Sequence, residues 1–206
     1  MMSPAPTPNS APRLILASKS ASRRAMLDAA GVPYEAIPAD IDERGIERGL
    51  SQSSPPEIAE ALSVAKAAAL AAQHSDALVL GSDSLVVAGG KRFDKPGSRE
   101  EASDHLRFFS GKTLKLHSAA ALVRGDTCVW AAPSLARLEV RELSEDFIQH
   151  YLTEEWPEVG STVGVFRIEA MGVQLFKSIE GDQFTVLGMP LLPLLDALRE
   201  EGVLLA

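Results

Sequence analysis

Leu14-Ile15-Leu16-Ala17-Ser18-Lys19-Ser20-Ala21-Ser22-Arg23-Arg24 is the stretch on which the fold turns. It begins as an unbroken apolar run, Leu14 to Ala17, which reads as a buried strand. A hydroxyl-rich turn follows (Ser18, Ser20, Ser22), and a helix then opens on Arg23 and Arg24. Ala25, Met26, Leu27, Ala29 and Ala30 carry that helix to Gly31, a natural stop. Two guanidinium groups in a first turn face the positive end of the helix dipole, which costs about 0.3–1 kcal/mol each. A bound anion reverses that sign. Hydroxyls, free helix N–H groups and guanidinium forks together form a phosphate cradle. The other reading is a solvated basic helix start, and no glycine fingerprint decides between them.

The chain around this stretch has 206 residues, a net charge of -8 and 46% hydrophobic residues. That is enough for one sizeable core, and too acidic for a protein that coats nucleic acid. Residues 1–12, MMSPAPTPNSAP, read as a disordered tail rather than a signal peptide, which leaves residues 13–206 as a single domain. No run is apolar enough to span a membrane. The single Cys128 excludes an internal disulfide and fits a reducing, cytoplasmic setting; its apolar neighbours point to a buried thiol. The four histidines have no metal-ligand spacing.

Beyond Gly31, Tyr34 to Ile37 reads as a short strand and Pro38 to Gly45 as an acidic loop with Asp40, Asp42 and Glu43. Ser54 and Glu57 form a capping box that starts a helix running to about Gln73, with Lys66 inside it. Ala77 to Gly81 is a second buried strand, and Leu85 to Ala88 a third. Asp83 sits where the one hands over to the other. A carboxylate between two apolar runs either caps a turn or binds something. Gly89-Gly90 is a hairpin turn, and the returning strand delivers Lys95, held extended by Pro96 and brought back toward Asp83. A carboxylate and an ammonium beside a phosphate cradle point to metal-assisted phosphoryl chemistry.

Ser98 starts a helix to about Phe109, and Lys112 to Val123 pairs with Thr127 to Val140 as long antiparallel strands. Ser144 caps another helix. Val163 to Glu169 reads as a strand ending in a second carboxylate, Val173 to Ile179 as helical, and Phe184 to Leu187 as a last strand. Leu191, Leu194, Leu195 and Leu198 repeat at helical spacing and close the chain. Alternating strands and helices around one antiparallel pair predict an α/β fold with a mixed sheet.

Taken in order, these motifs resemble the Maf family of nucleoside triphosphate pyrophosphatases. The carriers are Leu14 to Ser18 with Ser20, Arg23 and Arg24, then Ile41-Asp42-Glu43, Lys66, Gly81-Ser82-Asp83 and Lys95-Pro96. Leu106 to Gly111, Gly164 to Gly172, Gly181-Asp182 and Gly188-Met189-Pro190-Leu191 complete the set. The resemblance implies a twisted mixed sheet in two lobes around a central cleft, similar to inosine triphosphate pyrophosphatases. It also implies cleavage of a nucleotide between its α and β phosphates with a divalent cation (magnesium, manganese or cobalt), and a possible homodimer. Carried over by position, Ser18, Ser20 and Arg23 would bind phosphates, with Arg24 as a helper. Asp83 and Glu43 would hold the metal or orient water, and Lys66 and Lys95 would neutralise phosphate charge.

The choice of base rests on Glu169. The family's pyrimidine branch, which hydrolyses dTTP and UTP, has glutamine there and opens its first helix Ser-Pro-Arg-Arg. Ser20-Ala21-Ser22-Arg23-Arg24 looks like the other branch. A glutamine amide offers one donor and one acceptor, whereas a carboxylate only accepts and pairs with two adjacent donors, as on the guanine edge. Such a bidentate contact is worth about 1–3 kcal/mol in discrimination. N7 methylation makes the ring cationic and favours the carboxylate further. The expectation is a 7-methyl-GTP pyrophosphatase, with Trp156, Phe166 and Phe176 available for stacking. A dTTP or UTP enzyme and a non-catalytic nucleotide-binding regulator of septum formation are the alternatives.

Overall fold

The computed structural model describes residues 11–205, so residues 1–10 of the expected tail lie outside the described part. The apolar run that opens the domain is strand β1, Leu14–Leu16, every residue buried. Ser20 caps helix α1, Ala21–Ala29, which buries Met26 and Leu27. Strand β2, Glu35–Ala36, lies parallel to β1. The expected acidic loop is partly helical: the Asp42 carboxylate accepts from the Gly45 N–H at 2.8 Å and starts helix α2, Glu43–Gly49. Asp42 is a cap before it is a charge. Helix α3, Pro55–Ala71, carries the expected capping box of Ser54 and Glu57.

Strand β3 runs without a break from Leu78 to Ala88. The two strands expected here are one. Gly81 does not interrupt it but lets helix α3 come close, since a Cβ at this position would fall 2.0 Å from the Ser63 carbonyl oxygen. Gly89-Gly90 makes the expected tight turn into β4, Lys91–Phe93. Helix α4, Arg99–Phe109, then leads to β5, Thr113–Arg124, and β6, Thr127–Val140. Helix α5, Glu145–Glu155, follows.

The last quarter of the chain departs most from expectation. Val163 to Glu169 is not a strand, because Gly164 (φ 86°) and Val165 (φ 57°) turn the backbone left-handed. The expected helix over Val173 to Ile179 is a 3-10 turn, Met171–Leu175, followed by strand β7, Phe176–Glu180, paired to β6. The expected last strand is a short helix α6, Gln183–Val186, because the Asp182 carboxylate accepts from the Phe184 N–H at 2.6 Å. Helix α7, Leu191–Glu200, ends the domain as expected.

The sheet order is β2-β1-β3-β5-β6-β7, with β4 on the free side of β3. β1 is parallel to β2 and β3, and the remaining pairs are antiparallel, so the sheet is mixed as expected. The long strands serve three apolar clusters. At one end Leu14, Leu16, Leu80 and Leu122 pack against α1 and α7, and Ile15, Val79 and Val123 pack against α3 on the opposite face. At the other end Val86, Leu116 and Leu138 pack with Leu106, Phe109, Ile148 and Leu152 of α4 and α5. Among the described residues no helix is long and apolar enough to cross a membrane. Cys128 is exposed rather than buried: it sits just past the β5–β6 turn, where β6 carries exposed residues.

Candidate active site

Strand register creates the site. β1 pairs with β3 only as far as Leu16 opposite Leu80, and β4 joins only at Val86 opposite Phe93. From Gly81 to Leu85, β3 has β5 on one side and no strand on the other. Asp83 lies in this notch, 7% exposed. Its Oδ1 accepts from Lys66 Nζ of α3 at 2.5 Å, and the same Nζ is 3.0 Å from Glu43 Oε1 at the start of α2. Lys66 is therefore a half-buried cation shared by two carboxylates, not a solvated helix charge. α2 is tied to β4 across the notch rim by Arg44 to Asp94 and Arg92 to Glu47, both at 2.6 Å. Each exposed pair of this kind contributes about 1 kcal/mol or less, so the rim is held loosely.

The β1–α1 turn closes the notch from the other side. Ser18 is buried, its hydroxyl accepting from the Ser20 N–H at 3.2 Å, and the Ser20 hydroxyl accepts from the Arg23 N–H at 3.4 Å. Arg23 turns inward. Its Nε donates to the Gly188 carbonyl at 3.0 Å, Nη2 to Ser84 Oγ at 3.1 Å and Nη1 to Ser18 Oγ at 3.4 Å. Burial pulls the guanidinium pKa below its ordinary value, and the Asp83 and Glu43 carboxylates pull it back up. Three of its five N–H groups meet neutral oxygens, which leaves two for an anion.

Sequence reasoning missed the support behind Arg23. The Gly188 carbonyl also accepts from Ser82 Oγ at 3.2 Å and Ser84 Oγ at 3.0 Å. Gly188 has φ 104°, and a Cβ there would stand 3.2 Å from Ser84 Oγ. Ser84 bonds Ser118, whose hydroxyl donates to the Thr185 carbonyl. The signal was present: two serines at period two, inside an apolar strand, share the face opposite Asp83.

The other expected residues lie elsewhere. Arg24, next along α1, is exposed and borders a shallow depression with Ala21 and Tyr34. Lys95 is exposed and, among the described residues, forms no hydrogen bond or ion pair with Asp83 or any other group. Glu169 belongs to the loop packed on α5. Gly164, at the root of that loop, lies against Val86 of β3, where a Cβ would be 3.4 Å from the valine methyl group. Val165 is fully buried in a left-handed conformation that costs a β-branched residue about 1–3 kcal/mol. Phe166 and Phe176 meet edge to face, centroids 4.9 Å apart, inside the core, so neither offers a free face to a base.

The notch thus brings together two cations, two carboxylates and two hydroxyls. Among the described residues no group of three or more His, Cys, Asp or Glu side chains could hold a metal alone. Asp83 and Glu43 could supply two hard oxygen ligands, a donor set that suits a magnesium-type ion, which commonly uses one or two carboxylates together with substrate phosphates and water.

A family model described as Maf-like protein matches residues 13–201. The chain is 46% identical over 191 residues to a nucleoside triphosphate pyrophosphatase of Rhodopseudomonas palustris (strain HaA2), covering 93% of this chain and 95% of that one. It is 47% identical over 195 residues to a 7-methyl-GTP pyrophosphatase of Rhizobium meliloti (strain 1021), covering 94% and 98%. Among solved structures, a HAM1 protein from Coxiella burnetii superposes with a TM-score of 0.44 at 18% identity, over 64% of this chain and 74% of that one.

Proposed function

This chain belongs to the Maf-like protein family, and from that premise we propose that it is a nucleoside triphosphate pyrophosphatase that hydrolyses 7-methyl-GTP to the monophosphate and pyrophosphate. The observation that carries the reading is Lys66 shared between Asp83 and Glu43, opposite the inward-turned Arg23. Lys66 and Arg23 only balance the charges of Asp83 and Glu43, which leaves no net positive charge in the notch to meet a triphosphate. A divalent ion held by Asp83 and Glu43 would supply that charge and screen the triphosphate.

The chain's own groups divide the remaining work. Ser18, Ser20 and the two spare N–H groups of Arg23 hold phosphate oxygens. Asp83 orients a water and takes its proton as the oxygen attacks the α phosphorus. The bond from that phosphorus to the bridging oxygen breaks, and its electron pair leaves with pyrophosphate. Lys66 neutralises the charge that builds on the phosphate oxygens. Lys95 keeps the same role on the strength of the family resemblance alone. Glu169 accepts from guanine N1–H and N2–H₂, a pairing that a glutamine amide cannot reproduce. The name of the Rhizobium meliloti relative supports this base over a pyrimidine.

The test is pyrophosphate release from 7-methyl-GTP, GTP, UTP, CTP and dTTP with magnesium, manganese or cobalt. The wild type is expected to favour 7-methyl-GTP, and Glu169→Gln to lose about tenfold of that preference, the effect of one bidentate contact. A lead for UTP or dTTP would overturn the reading of Glu169, and nucleotide binding without turnover would make the protein a regulator. Chelation of divalent ions by EDTA is expected to stop release and re-addition to restore it; release that persists in EDTA would remove the metal from the mechanism.

A further inference from the structure

α5 presents two polar side chains to the loop that carries Glu169. Tyr151 is fully buried, and its hydroxyl donates to the Val165 carbonyl at 3.0 Å. Glu155, one helical turn on, is buried as well. Its Oε2 accepts from Nε and Nη2 of Arg167, both at 2.9 Å, and its Oε1 accepts from the Met171 N–H at 3.2 Å. The hydrogen bond that Arg167 donates to Glu155 is the largest influence raising the Arg167 pKa. The loop is therefore held at residues 165, 167 and 171. Glu169 stands between the last two points, exposed and, among the described residues, without a hydrogen bond or ion pair of its own.

A buried carboxylate is a costly way to shape a loop, since its charge must be fully matched. A backbone turn could be closed by an asparagine or a serine. What the ion pair adds is rigidity on both sides of one free carboxylate. We infer that Glu155 is a positioning residue for base recognition: through Arg167 and Met171 it fixes where Glu169 reaches, and Tyr151 fixes the root of the loop at Val165. This rests on the reading of Glu169 as the group that binds the guanine edge. The loop root at Gly164 touches β3 just beyond the notch, so the reading loop and the phosphate notch share one strand.

The experiment compares kcat/KM for 7-methyl-GTP and UTP in Glu155→Gln, Glu169→Gln and the double variant, with inhibition by tripolyphosphate, which has no base, as the control. Glu155→Gln is expected to lower the 7-methyl-GTP to UTP ratio about tenfold, mainly through KM, with tripolyphosphate inhibition unchanged. In the double variant the ratio should stay where Glu169→Gln alone put it, because one residue acts through the other. Tyr151→Phe keeps the ring and its packing and serves where Glu155→Gln does not fold; it should lower the ratio a few-fold. If Glu169→Gln leaves the preference unchanged, the reading of Glu169 fails and the positioning role falls with it. If Glu169→Gln shifts the ratio while Glu155→Gln and Tyr151→Phe do not, the positioning role alone is wrong. A loss shared equally by both nucleotides and tripolyphosphate would make Glu155 purely structural and would also overturn it.

Discussion

Asp83→Asn is expected to lower pyrophosphate release by about three orders of magnitude while nucleotide binding survives. The substitution keeps the shape of the side chain and an oxygen that accepts from Lys66, which now donates to Asp83 at 2.5 Å. It removes the negative charge and nearly all proton affinity, the two properties an attacking water needs. Lys66 retains Glu43 at 3.0 Å, so no cation is left buried and unpaired and the fold should hold. Single-turnover release beside calorimetric nucleotide binding separates the two effects. Turnover near the wild-type rate would take Asp83 out of the mechanism. Loss of binding together with turnover would make its role one of holding the ligand.

Gly81→Ala is expected to be the most damaging small change to the fold. The added methyl carbon would stand 2.0 Å from the Ser63 carbonyl oxygen and 2.8 Å from the Ala67 nitrogen, both backbone atoms of α3. No rotamer relieves such a clash, so α3 must move off the sheet. Overpacking of this order costs about 3 kcal/mol, a fall in Tm of about 10 °C for a chain of this length. α3 also carries Lys66, so activity should fall further than stability alone explains. A Tm within about 2 °C of wild type would mean that α3 yields without cost.

Much of the fold was legible because its signals were local. Leu14 to Leu16 could be read as buried, Ser54, Ser98 and Ser144 as helix caps, and the leucine spacing of the last helix as one apolar face. Misreadings arose where a side chain answered to something distant. Asp42 and Asp182 look like loop charges until their carboxylates are seen capping helices. Val163 to Glu169 has the composition of a strand, but Tyr151 and Glu155 hold it as a loop. Gly81 looks like a break because the helix that needs its missing side chain lies elsewhere in the chain.

The candidate site divides in the same way. Ser18, Ser20, Arg23 and Asp83 stood out because polar groups interrupt apolar runs there. Lys66 did not: its pairing with Asp83 depends on how α3 is registered over β3, which no local pattern encodes. Ser82 and Gly188 entered only within family motifs, and neither they nor Ser84 could be given a role, because their contribution is a shared carbonyl behind Arg23, visible only after the chain has closed.

The gap along β3 has a consequence for solubility. A bare strand edge is a template on which another chain can pair, and exposed edges are where sheet proteins aggregate. From Gly81 to Leu85 this protein keeps an edge without a strand partner at its centre, with every residue buried except the half-buried Ser84. A strand laid there would sit beside the Lys66–Asp83 pair and the Arg23–Ser84 contact and shut both cations away from water and ligand, which is costly for charged groups. The groups that suit the gap to a triphosphate therefore also guard it against self-association. Variants that strip both cations in order to silence the enzyme would also leave Asp83 a buried carboxylate without its cation, so they are expected to be less stable and to aggregate more readily than the wild type.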